Sequence, residues 1–163
     1  MIKAIETSYN GYRFRSRMEA RWAKYFDEAG IESLYEPAGF KLSTGIMYMP
    51  DFYLTKQRRW VEVKFDVLNP FDETKADLLV METGIPLIVL DGDPKDQSYS
   101  EYYLDEDGDI MSRRVNLVPE VDDEDSFLTG VMLESTKDFL EAGYEKYTKA
   151  SKAARSERFG VHD

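Results

Sequence analysis

Residues 85–91, Ile-Pro-Leu-Ile-Val-Leu-Asp, form an unbroken apolar run. It is too short to cross a membrane, where about 18 apolar residues are needed. It also lacks the alternation of a strand with one wet face. Such a run predicts a β-strand buried on both faces, in a sheet covered on both sides. Asp72 to Thr83, just before it, has helical spacing. Asp72 is placed to cap, Ala76, Leu79 and Val80 share an inner face, and Gly84 supplies the stop. Val67 to Phe71 reads as a loop broken by Asn69-Pro70. A helix joining two strands implies a right-handed crossover, so 85–91 is expected parallel to the strand that precedes the helix.

That preceding strand belongs to Met49–Phe65, Met-Pro-Asp-Phe-Tyr-Leu-Thr-Lys-Gln-Arg-Arg-Trp-Val-Glu-Val-Lys-Phe. The stretch predicts two strands, Ile46 to Leu54 and Arg59 to Phe65, around a polar turn at Thr55 to Arg59. Strand side chains alternate. Val61, Val63 and Phe65 are expected on one face, and Trp60, Glu62 and Lys64 on the other. Glu62 and Lys64 would then stand about 6.6 Å apart along the strand, with Asp51 brought alongside by the hairpin. Two carboxylates and an ammonium meeting in one small volume suit phosphoryl chemistry. Hard oxygen ligands hold Mg²⁺, which bridges to phosphate oxygens and acidifies a water. Lysine in a desolvated, cationic neighbourhood can orient and deprotonate that water. The plainer reading is a solvated hairpin face with a weak Glu/Lys pair.

Ser16 to Gly30 predicts the clearest helix: Met18, Trp22, Phe26 and Ala29 recur at helical spacing, with Tyr25 alongside and Gly30 as the stop. Glu19 falls on or beside the apolar face, where a carboxylate must be paired, coordinated or neutralised. Ser16-x-x-Glu19 is also a capping box, with Glu19 reaching back to the Ser16 backbone N–H. The preceding Tyr9–Arg17 turns at Asn10-Gly11 and then alternates Arg13, Arg15 and Arg17 with Tyr12, Phe14 and Ser16. Two readings stand for these arginines: a phosphate clamp, or a solvated edge strand. Lys75 has the same two readings, a second phosphate contact or a solubilising lysine.

Ile31 to Leu42 is expected as a strand interrupted at Pro37-Ala38-Gly39, with a turn at Ser43-Thr44-Gly45. The three consecutive strands are expected as antiparallel neighbours. Asp91 to Asp125 carries 13 Asp+Glu against 3 Lys+Arg. Within it, Tyr99 to Leu104 and Asp109 to Val115 can pair across Asp105 to Gly108. Asp105–Asp109 lacks the spacing and terminal Glu of a calcium loop, so solvated acidic loops are expected. Ser135 to Arg158 predicts a long helix with a Phe139, Leu140, Tyr144, Tyr147 and Ala150 stripe, for packing on the core or a second subunit.

Charge narrows the function classes. The net charge is −11, unlike a simple nucleic-acid binder. Residues 1–64 carry 11 Lys+Arg and 8 Asp+Glu, net +3; residues 65–163 carry 10 and 24, net −14. A local phosphate-binding face on an otherwise acidic protein fits that asymmetry. With no cysteine, disulfides and thiolate metal sites are excluded. The single histidine, His162, is expected in a frayed tail, which disfavours histidine-based sites. Met1 to Glu6 lacks the apolar core of a secretory signal, and no membrane span is expected, so the expected setting is cytoplasmic.

Glu19, Pro50-Asp51 and Glu62-Val63-Lys64, in this order, resemble the PD-(D/E)xK nuclease superfamily, and more narrowly its small phage-type endonucleases. Their helix is similar to Tyr12-Arg-Phe-Arg-Ser-Arg-Met-Glu-Ala-Arg-Trp22. Their hairpin is similar to Met49-Pro-Asp-Phe-Tyr-Leu54 followed by Trp60-Val-Glu-Val-Lys64. The resemblance spans about residues 10–94 and leaves 95–163 uncovered. It implies an α/β fold with a restriction-endonuclease-like αβββαβ core, a mixed sheet flanked by helices. Residues 1–96 would be that core, 97–133 an acidic hairpin and loop extension, and 134–163 the C-terminal helix. Asp51, Glu62 and the Val63 backbone carbonyl would bind Mg²⁺, with Mn²⁺ able to substitute. Lys64 would serve the attacking water, and Glu19 would reach the metal directly or through water. Phe65 departs from the pattern, since many relatives carry a small residue there.

The leading expectation is a Mg²⁺-dependent endonuclease that hydrolyses DNA by in-line attack and leaves a 5′-phosphate, in a phage-infected or prophage-carrying bacterial host. Arg13, Arg15, Arg17 and Lys75 would hold the backbone. No element reads as a base-reading helix, so branched or single-stranded DNA is the favoured partner, and a homodimer would permit paired cuts. The alternative is a catalytically silent binding module or nucleic-acid mimic whose acidic segment takes a protein partner. A structural component on which the motif is incidental ranks third.

Overall fold

Two strands in the middle of the sheet run parallel, as the helix between them requires. In the computed structural model, which describes residues 4–64, 70–94, 98–116 and 145–161, Arg59–Lys64 (β7) pairs with Leu87–Asp91 (β8) in parallel register, Trp60 opposite Leu87 and Lys64 opposite Asp91. The remaining elements are β1 (Thr7–Tyr9), β2 (Tyr12–Phe14), α1 (Arg17–Ala29), β3 (Ser33–Tyr35), β4 (Phe40–Lys41), β5 (Met47–Tyr48), β6 (Phe52–Leu54), α2 (Pro70–Thr83), β9 (Ser98–Leu104), β10 (Ile110–Asn116), α3 (Glu145–Ser156) and β11 (Gly160–Val161). Six strands make one mixed sheet in the order β10-β9-β8-β7-β6-β3, antiparallel except for β7 and β8. The chain is thus α/β, with three helices among the described residues.

The alternation along β7 sorts two cores. Val61 and Val63 join Trp22, Phe26, Phe52, Ile88 and Leu90 on the α1 face. Trp60 joins Ala76, Leu79, Val80, Leu87 and Val89 on the α2 face. β8 alternates between both clusters, which is why 85–91 needs no polar side. Ala76, Leu79 and Val80 are at most 1% exposed, as their spacing predicts. Ala150 and Ala154 of α3 are fully buried in the α1-face core, so the described part of the C-terminal helix packs there. Phe139, Leu140 and Tyr144 of the expected stripe lie outside the described residues, as do Phe65 and His162.

Several boundaries differ from expectation. α2 begins at Pro70, so Asp72 sits in its first turn rather than at its cap. Proline fits the first helical position because its missing N–H would have no partner there. The expected strand at Ile31 to Leu42 is two strands in two sheets. β3 pairs with β6, whereas β4 pairs with β5 in a separate ribbon. The break falls at Glu36, with φ at 44°, and at Pro37, which has no N–H to donate. The 99–115 hairpin forms one residue longer at each outer end and is no appendage: β9 bonds directly to β8. It carries Glu101, 1% exposed, between Arg59 (3.4 Å) and Arg113 (3.2 Å), so this buried charge is paired. At the other end α3 stops at Ser156, and β11 returns to pair with β1.

Candidate functional site

Asp51 immediately precedes β6, at the point where the β6–β7 ladder runs out. The last paired residues are Phe52 and Val61, which leaves the Val63 N–H without a strand partner. Asp51 Oδ2 accepts that N–H at 2.8 Å. The Asp51 carbonyl accepts the Glu36 N–H, also at 2.8 Å. Both contacts fix the carboxylate at the end of the sheet. On β7, Trp60 N–H donates to Pro86 O and Lys64 O accepts from Gly92 N–H, both toward β8. By strand alternation the Val63 N–H and C=O face the other way, toward Asp51.

Three further carboxylates reach the same place from different elements. Glu19, 7% exposed, comes from the first turn of α1. The Ser16 hydroxyl donates to Glu19 Oε2 at 2.6 Å, and the Tyr35 hydroxyl to Oε1 at 3.0 Å. The cap forms through Ser16 Oγ, which accepts the Glu19 N–H at 3.1 Å. In the described contacts Glu19 thus holds the Ser16 hydroxyl in place of the expected backbone N–H. Glu36 comes from the break after β3, and one carboxylate oxygen from each of Glu19, Glu36 and Asp51 lies within 4.8 Å of the others. Glu62 stands beside this trio, its Oε2 accepting from the Tyr48 hydroxyl at 3.0 Å and its Oε1 lying 3.6 Å from Lys64 Nζ. Lys64 is also 3.7 Å from Asp72 Oδ2 in α2.

Clustered carboxylates raise the cost of ionisation. Burial pushes the Asp51 carboxyl well above the usual range, and the Glu62 and Glu19 charges add to it, against the opposing Val63 N–H. Burial also raises Glu62, although Lys64, the Tyr48 hydroxyl and Lys75 pull it down. Half-buried like charges are relieved by a shared proton or a cation. An all-oxygen set fits a hard divalent ion such as Mg²⁺. Glu36, Asp51 and Glu62 line a cleft of about 460 Å³, together with Arg15, Tyr48 and Lys75.

The four cationic residues singled out in the sequence do not form one clamp. Arg13 lies on the edge strand β2, paired with Glu6 at 3.0 Å. Arg15 lines the cleft and pairs with Glu36 at 2.9 Å. Arg17 opens α1 and lines a different pocket. Lys75 lines the cleft with its Nζ 5.0 Å from the Tyr48 ring centroid. Two participants escape sequence reasoning, Glu36 and Tyr48. Pro37 and Gly39 signal the break near Glu36, but nothing local says that its carboxylate turns toward Asp51.

Ser16 serves both the helix and the site. Ser16→Ala is expected to destabilise the fold by about 1 kcal/mol through the lost cap, a fall of roughly 2–4 °C in Tm for a chain of this size. A thermal melt checks it. No protein-family model matches the chain, and no curated protein matches it.

Proposed function

We propose that this protein is a Mg²⁺-dependent nuclease that hydrolyses phosphodiester bonds in DNA, with a restriction-endonuclease-like core of the PD-(D/E)xK kind. The observation that carries the reading is the meeting of Asp51, Glu62, Glu19 and Lys64 at one sheet end, where Asp51 and Glu62 line an open cleft. Asp51, Glu62 and the Val63 carbonyl would hold the metal, with Glu19 completing the set. A divalent cation there offsets charge on the reacting phosphate and acidifies an adjacent water. The chain's own residues do the rest. Lys64, between Glu62 and Asp72, orients the attacking water, the Val63 N–H keeps Asp51 aimed, and Ser16 and Tyr35 keep Glu19 aimed. Arg15 and Lys75, at the cleft wall, receive the phosphate backbone. No element of the sequence reads as a base-reading helix, so the substrate class we propose is branched or single-stranded DNA, cut to leave a 5′-phosphate.

The test is to incubate plasmid, single-stranded and branched DNA with Mg²⁺ or Mn²⁺, comparing wild type with Asp51→Ala and Lys64→Ala. Metal-dependent cleavage by wild type, lost in both variants, is the expected result. Absence of wild-type cleavage on every substrate, with DNA or protein binding retained, favours the second reading. That reading is a silent binding module, and the net charge of −11 is the observation that favours it.

Glu36 separates the site proposed here from the three-motif pattern alone. Its positive φ costs about 1–3 kcal/mol for a non-glycine residue, and its carboxylate pairs with Arg15 while lying within 4.8 Å of Glu19 and Asp51. Glu36→Gln is expected to raise the Mg²⁺ concentration needed for half-maximal cleavage by about 10-fold or more. Activity at saturating metal should be largely restored. An unchanged metal titration would remove Glu36 from the site.

A further inference from the structure

A second pocket, of about 270 Å³, lies between the start of α1 and the segment joining α3 to β11, lined by Arg17, Glu157, Arg158 and Phe159. Its two guanidinium groups have no hydrogen-bond or ion-pair partner among the described residues, on a chain with a large excess of acids. The one acid in its wall among the described residues is engaged elsewhere: Glu157 lies 3.6 Å from Lys24 Nζ. Phe159 is held edge-on against Tyr9, with ring centroids 5.7 Å apart, and remains partly exposed. Arg17 is the first residue of the 13-residue α1, so the pocket also borders the positive end of a helix. Two guanidinium groups and a partly exposed aromatic ring in one pocket wall have the composition of a site for a nucleic-acid strand, phosphate on the arginines and a base against the ring.

We infer that Arg17 and Arg158 form a phosphate subsite that holds the single-stranded DNA backbone away from the reacting phosphate, with Phe159 offering a stacking surface. The inference rests on the nuclease reading for its substrate class. Arg15 lines the cleft and Arg17 lines this pocket, and their Cα atoms are at most about 7 Å apart along the chain. Two residues of chain thus separate a wall of the cleft from a wall of the pocket, a spacing comparable to one nucleotide of an extended strand. The sequence pattern joins Arg17 to Arg13 and Arg15. The fold instead joins it to Arg158, from the other end of the chain.

The test measures binding without metal, so that it does not depend on cleavage. Fluorescence anisotropy with a labelled single-stranded 20-mer, in EDTA and across 50–200 mM salt, compares wild type, Arg158→Ala, Arg158→Lys and Asp51→Asn. Arg158→Ala is expected to weaken binding several-fold and to lower the slope of log K against log salt by about 0.7 for each phosphate no longer neutralised. Arg158→Lys should restore most of the slope, and Asp51→Asn should not reduce it. Equal losses on 5′-phosphorylated and 5′-hydroxyl strands assign the subsite to a backbone phosphodiester. A loss confined to phosphorylated strands assigns it to a terminal phosphate. Wild-type binding with an unchanged slope in Arg158→Ala overturns the subsite while leaving the metal centre standing, and failure of wild type to bind the strand overturns it as well. A reduced slope in a protein that cleaves nothing keeps the subsite and removes the nuclease reading. Arg158 is exposed and outside a helix, and matching melts for the variants exclude a folding defect.

Discussion

Asp51→Asn is expected to give a folded protein whose metal-dependent cleavage has fallen about a thousandfold or more, the loss of several kcal/mol of charge stabilisation at the reacting phosphate. Asparagine keeps an oxygen acceptor for the Val63 N–H, so the local geometry survives. The same substitution should change how stability responds to pH. Asp51 and Glu62 both have carboxyls raised above the usual range by burial, with neighbouring carboxylates adding to it. A carboxyl raised in the folded state keeps a proton that the unfolded chain has already released. The destabilisation is therefore absent below the ordinary carboxylate range near pH 4 and grows as pH climbs from there through the raised values. Metal-free wild type should melt at a higher temperature at pH 5 than at pH 7.5. Mg²⁺ or Mn²⁺ reverses the trend because it binds the ionised carboxylates. At a hundred times Kd it adds about 2.7 kcal/mol, roughly 5–10 °C for this size. In Asp51→Asn both the pH response and the metal response should shrink, read by melts at the two pH values with and without metal. A variant that keeps the wild-type metal response would show that Asp51 is not a ligand.

The parts of this site that are legible in the sequence are those fixed by local rules. Ser16 and Gly30 bound α1 because a hydroxyl cap and an αL glycine work through their immediate neighbours. Glu62 and Lys64 share a face because strand alternation is strict, and β8 reads as buried because it has no polar side. What stays hidden depends on partners far away in the chain. Glu36 reaches Asp51 only because β3 pairs with β6 and the chain then turns at positive φ. Tyr48 meets Glu62 because β5 leaves the main sheet for a two-stranded ribbon, a departure that no periodicity over two residues can announce. β11 is equally short, yet its pairing with β1 brings Arg158 and Phe159 to the start of α1. Asp72 reads as a cap because aspartate often is one. Pro70 two residues earlier is the stronger signal, since it needs no partner for an N–H it lacks.

Lys64 offers the sharpest separation of catalysis from metal binding. Lys64→Ala is expected to lower kcat by about 10²–10⁴, the usual worth of a side chain positioned on a transferred proton, with KM for DNA changed far less. Its Nζ sits between Glu62 Oε1 and Asp72 Oδ2, close to the carboxylates yet not itself an oxygen ligand. The metal-dependent rise in Tm should therefore persist in Lys64→Ala, in contrast to Asp51→Asn. Lys64→Arg distinguishes two ways in which the amine can act. Arginine keeps the positive charge but stays protonated. If Lys64 takes a proton from water, the arginine variant is as slow as the alanine variant. If it acts through charge alone, much of the rate returns. Asp72→Asn removes the acid on the far side of the amine, leaving Glu62 as its described ion-pair partner, and should move the pH dependence of cleavage while leaving metal binding intact. Cleavage by Lys64→Ala within tenfold of wild type would take the amine out of the reaction and leave the carboxylates as the whole of the chemical machinery.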